Sequence, residues 1–166
     1  MIPKSSIRWL IAPLLLLAGG AAAKSAPLQI PGGQPAEERA AQDHLPQSHD
    51  VLWSKFVKCK VGYNNEKGIY SISVTPEVKA MSGQAVTASG WILPLDGSDH
   101  TSHFLLTRRT PVCMFCPPGE PNEVAEVVTL TPVTWTDKLV TVTGLLSLID
   151  NGEKGMFFKI DAYSVH

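Results

Sequence analysis

The chain reads as all-β: a small, partly open OB-like barrel of five to six strands with one short helix. Three observations point there. Apolar and polar residues alternate with period two over most of the chain after Ser48, the pattern of half-buried strands. Turn-forming residues punctuate that pattern at short intervals, as at Asn64-Asn65, Asp96-Gly97 and Asn151-Gly152. One stretch only, Thr75-Pro76-Glu77, carries a helix start, and Gly90 interrupts a long apolar strand as a barrel corner would.

In chain order, residues 1–23 have the form of a secretory signal. Lys4 and Arg8 precede an apolar run from Trp9 to Ala18, and Ala21-Ala22-Ala23 is a small-residue cleavage site. The run is shorter than the about 20 apolar residues that a spanning helix needs, and Gly19-Gly20 breaks it. The expectation is a periplasmic protein cleaved near Ala23, with no membrane span afterwards. Cleavage removes two of 14 basic residues and none of 15 acidic ones, moving the net charge from −1 to −3. That balance excludes a nucleic-acid partner, which calls for clustered positive charge. Residues 24–47 are rich in Pro, Gly, Ala, Gln and charge. They read as a flexible leader, because they offer too little apolar surface to order themselves. The folded domain is expected over residues 48–166.

Val57, Cys59 and Val61 alternate with Lys58 and Lys60, giving a first strand. The turn formers of residues 63–68 lead to Tyr70, Ile72 and Val74, which complete a hairpin. Thr75 is the N-cap and Pro76 the first residue of the short helix, which Gly83 closes. Strands follow over residues 84–95, 103–107, 124–130 and 138–148. The last strand presents Met156, Phe158, Ile160 and Ala162 on one face.

Chemistry concentrates in Cys113-Met114-Phe115-Cys116, followed by Pro117-Pro118-Gly119. Two thiols at this spacing can close a small disulfide ring or hold one soft metal ion. Four readings are open or closed as follows. Export favours a structural disulfide, with Cys59 left as the odd thiol and read as a buried small hydrophobe. A thioredoxin-like exchange site is disfavoured, since no helix begins here to lower a thiol pKa. Covalent haem is excluded, because the position after Cys116 is proline. Metal binding takes Cys113 and Cys116 as ligands, with His103 a third and Glu123 a weaker oxygen donor; zinc comes first and copper second. His100 and His103 are three apart, which on a regular strand places them on opposite faces, so His103 alone would reach the loop. His44, His49 and His166 read as solvated. Trp53, Trp91 and Trp135 are candidates for a carbohydrate platform, with Trp91 reading first as core. No Ser-His-Asp set, carboxylate pair or phosphate loop stands at an interpretable spacing, so the protein is expected not to be an enzyme.

Several runs resemble a bacterial exported family of unknown function. They are Lys79-Ala80-Met81-Ser82-Gly83-Gln84, Gly90-Trp91-Ile92-Leu93-Pro94-Leu95, His103-Phe104-Leu105-Leu106, Cys113 to Cys116, Pro121-Asn122-Glu123 and Glu126-Val127. The resemblance extends over roughly residues 51–163. The resemblance implies an OB-like barrel and no established reaction. It also implies links, in some relatives, to zinc-responsive genes and a two-part ABC-type exporter. In some relatives Cys-x-His replaces Cys-x-x-Cys; here Phe115 stands where that histidine would be. Cysteine and histidine are both soft-metal ligands, so the resemblance leans toward metal homeostasis. The alternatives are an accessory module of an envelope transporter with a Cys113–Cys116 staple, and a thiol-disulfide protein.

Overall fold

A computed structural model describes Gln34 and residues 36–112 and 118–166. The expected signal segment and the Cys113–Pro117 stretch lie outside the described residues. The elements run α1 (Ala36–Asp43), α2 (Val51–Phe56), β1 (Lys60–Asn64), β2 (Ile69–Ser73), α3 (Pro76–Ala80), β3 (Ala85–Pro94), β4 (His100–Thr107), β5 (Val124–Thr134), β6 (Val140–Asn151) and β7 (Met156–Val165). No helix among the described residues is long and apolar enough to cross a membrane.

The last five strands close a barrel in the order β3-β4-β5-β7-β6. β5 and β7 pair in parallel while every other neighbour is antiparallel. Numbered within the barrel this is 1-2-3-5-4, the OB-like order, and the all-β expectation holds. Two details differ from it. The barrel is closed rather than partly open, because β3 pairs with β6 on one side and β4 on the other. Among the described residues three short helices are present rather than one.

Glycine makes that closure possible. β3 lies on β6 as far as Gly90 and on β4 from Trp91 onward. A Cβ at Gly90 would sit 2.6 Å from the Thr107 carbonyl oxygen, so only glycine lets the strand turn the corner. At Gly144, where the β6–β7 register shifts, an added Cβ would meet the Asp161 carbonyl at 2.4 Å.

α2 plugs one end of the barrel. Leu52, Trp53 and Phe56 share one helical face and are buried. Phe56 stacks on Phe158 with ring centroids 3.9 Å apart, and Trp53 meets Phe56 edge-on. Burying each such ring contributes about 2–3 kcal/mol. Asp50 caps the helix through the Leu52 amide and also accepts from the Ser89 amide at 3.0 Å. The Trp53 indole donates to the Ser89 carbonyl at 2.8 Å. The strand expected over residues 57–61 therefore starts later, at Lys60. Cys59, buried and free, lies between the helix and the strand.

α3 is capped as its sequence predicts, with Thr75 Oγ1 accepting from the Val78 amide and Gly83 at φ +79° ending the turn. β1 and β2 form a separate hairpin, whose Tyr70 amide donates to the Gly152 carbonyl at 2.9 Å.

The second half of residues 24–47, expected as a flexible leader, carries α1. Ala36–Asp43 is helical, and Gln42 within it is fully buried. Its anchors are polar rather than apolar, which is why composition gave no sign of them.

Candidate functional site: the stem of the cysteine loop

The segment carrying Cys113 and Cys116 leaves the barrel after β4 and returns at the start of β5. Its described ends form a stem built by residues far apart in sequence. Gln42 spans that stem. Its Nε2 donates to the Thr110 carbonyl and to the Pro118 carbonyl, each at 3.1 Å, while its Oε1 accepts from Gln34 Nε2 at 2.8 Å. One buried amide thus fixes both ends of the segment.

Glu123 holds the second layer. Its side chain is 4% exposed. Oε1 accepts from Arg108 Nη1 at 2.6 Å and Arg109 Nε at 3.1 Å. Oε2 accepts from Arg39 Nη1 at 2.5 Å and from the Glu120 amide at 3.2 Å. Burial alone would raise its pKa, but the bonds and charges of Arg39 and Arg109, with the Glu120 amide, outweigh it and hold the carboxyl at about 2. Arg109 turns its Nη1 to Asp43, at 2.6 Å, so the end of α1 is tied to the same cluster. Asn122 fastens the far side by donating to the Cys59 carbonyl at 2.9 Å.

With this stem in place the comparisons can be read. The family description "Protein of unknown function (DUF3299)" matches residues 28–165. The chain belongs to the DUF3299 family. A solved structure of a DUF3299 family protein from Pseudomonas aeruginosa PAO1 shares 18% identity, covering 81% of this chain and 89% of that one, with a TM-score of 0.46. No curated protein matches the sequence. The DUF3299 match begins before residue 48 and includes the stretch that carries α1.

The structure does not bring His103 and Glu123 together. Cys113 and Cys116 lie outside the described residues. Glu123 spends its oxygens on four donors, leaving no lone pair directed at a cation. His103 pairs with Val128 in the β4–β5 register, five residues beyond Glu123, or roughly 16 Å along the strand. Its Nε2 lies 2.6 Å from Glu126 Oε1 instead. Among the described residues no group of three or more His, Cys, Asp or Glu side chains could hold a metal ion. His103 and Glu123 therefore do not share one metal site with each other. The face argument for the two histidines also fails, because the register shifts between Thr101 and His103 and both His100 and His103 are exposed.

Beside the stem runs an apolar groove of about 190 Å³, walled by Trp91, Pro111, Val112 and Trp135. Trp53 is not part of it and belongs to the barrel plug. Sequence reasoning missed Arg39, Gln42, Arg108 and Arg109. The adjacent pair Arg108-Arg109 at the end of an apolar strand was the one local hint of a buried acid elsewhere.

Proposed function

We propose that this DUF3299 protein is an exported, non-enzymatic binding module whose working element is the Cys113–Cys116 segment, presented on a preset stem. The observation that carries the reading is the double bond of Gln42 to Thr110 and Pro118. A loop whose two ends are fixed before any partner arrives loses less conformational entropy on binding. The stem offers holding rather than proton transfer, since Glu123 stays ionised and saturated with donors down to about pH 2. With Glu123 and His103 committed elsewhere, the two cysteines read best as a disulfide staple within the loop. The partner is an envelope protein, of which an ABC-type exporter is the kind that the family resemblance implies.

Thiol counting and elemental analysis of protein isolated from its native compartment test this. The expected result is one reactive thiol, Cys59, appearing after denaturation, and no stoichiometric metal. One equivalent of zinc or copper that disappears in Cys113→Ser/Cys116→Ser overturns it. For the partner, a photo-crosslinker at Phe115 should capture an envelope protein that the same probe at Lys58 does not; equal capture from both positions counts against presentation by the loop.

A second reading has the paired sulfurs themselves in its favour. Two thiolates without further protein ligands suit copper(I) better than zinc, which takes four ligands in structural sites. Under that reading the protein serves metal homeostasis, and the stem fixes the spacing of the two sulfurs.

A further inference from the structure

We infer that the outer face of β4 and β5 is a saccharide cleft, whose apolar end borders the stem at Pro118 and Gly119. Two hollows lie on this face, of about 420 Å³ and about 190 Å³. Lys154 and Met156 line both, so the two adjoin along one groove. Its floor is formed by His103 and Leu105 of β4 and Val124 and Glu126 of β5. The β3–β4 turn contributes Asp96 to one wall and the β6–β7 turn contributes Asn151 and Lys154 to the other. In barrels with this strand order, the face of the second and third strands, between these two turns, accommodates extended oligomers.

The chemistry of the groove selects the class of oligomer. One end is polar. His103 and Glu126 are joined at 2.6 Å, which orients both. Asp96 is oriented by the Ser98 amide at 3.0 Å and the Thr101 hydroxyl at 3.3 Å. A carboxylate, an imidazole and an amide, each planar and prepositioned, are the groups that pair with adjacent hydroxyls. The other end is apolar, with Tyr70, Leu105 and Pro121, and suits the C–H face of a pyranose ring. Two carboxylates face a single ammonium along the groove, so a polyphosphate backbone is disfavoured. From the level of Val124 to that of Val128 the floor runs about 13 Å, the length of two to three sugar rings. The ligand is a short neutral oligosaccharide, and an extended peptide is the competing occupant.

Titration of the full exported protein with chitotriose, cellotriose and maltotriose tests the assignment, followed by calorimetry and amide chemical shifts. At least one trisaccharide should bind, with shifts centred on His103, Glu126, Asn151 and Gly155. Glu126→Gln should weaken binding about tenfold, the loss of one charge-assisted hydrogen bond. Should that variant melt earlier, the exposed Lys154→Ala replaces it and should weaken binding severalfold. Absence of binding at millimolar sugar overturns the inference, as do shifts centred on Trp91 and Trp135. Displacement of the sugar by an unrelated extended peptide at micromolar concentration reassigns the groove to a peptide and overturns it equally.

Discussion

Replacing Glu123 with Gln removes the one negative charge that Arg39, Arg108 and Arg109 share. The carboxyl titrates at about 2 in the folded protein against 4.5 unperturbed, and each unit of that difference corresponds to about 1.4 kcal/mol. The ionised side chain therefore contributes on the order of 3 kcal/mol to folding. Because the folded value is the lower one, this stability is fully present above pH 4.5, declines through the interval down to about 2 and is absent below it. The side chains of Arg39 and Arg108 are 31% and 21% exposed, so both can turn toward water once the charge is gone. That keeps the loss near the lower end of what breaking a buried pair costs, about 3–5 kcal/mol. Urea unfolding of both proteins at pH 7 and pH 3 measures it. The expected gap is about 3 kcal/mol at pH 7 and roughly half of that at pH 3. A gap below about 1 kcal/mol at pH 7, or one of equal size at both pH values, refutes the account of the stem.

Three further outcomes follow from the packing. Phe158→Ala removes the ring that stacks on Phe56 inside the closed barrel and should cost about 3–5 kcal/mol by chemical denaturation, a value under 2 showing that α2 is not the plug. Gly90→Ala drives a Cβ into the Thr107 carbonyl and should cost about 2 kcal/mol or more; a melting temperature within a degree of the parent's shows that the corner is not tight. Gln42→Ala should lower global stability by only about 1–2 kcal/mol yet speed native-state proteolysis between Thr110 and Pro118, and unchanged cleavage at that place denies Gln42 its role as the bridge.

The barrel was legible because its burial has a period. Of Val140, Val142, Leu146 and Leu148, which the alternation marks, the structure buries the first three and half-buries Leu148. Gly90 was legible as a corner for the same reason, being the one residue without a side chain inside an apolar run. α2 was missed because the strand reading began at Val57, although Leu52, Trp53 and Phe56 already stand at helical spacing after Asp50, a good N-cap. α1 was missed because it buries Gln42 and pairs Arg39 and Asp43, contacts that hydropathy does not record. The stem assembles partners 84, 76 and 66 positions apart, and no local pattern encodes such a meeting. Sequence proximity instead suggested Glu123 and His103 as companions of the cysteines. Strand geometry separates the two along β5, and the arginines take up the first.

The parallel seam between β5 and β7 has a consequence for how the chain comes into being. β7 follows the other four barrel strands along the chain, and it alone joins β5 to β6 and supplies Phe158 to the plug helix. A growing or threading chain therefore holds every other strand of the barrel before it can close any of them into a ring. Until β7 emerges, β5 keeps an open edge and Phe56 has no ring to stack on. The architecture itself postpones closure of the ring until β7 is available, and a chain lacking the whole of β7 would stay unfolded rather than lose stability by degrees.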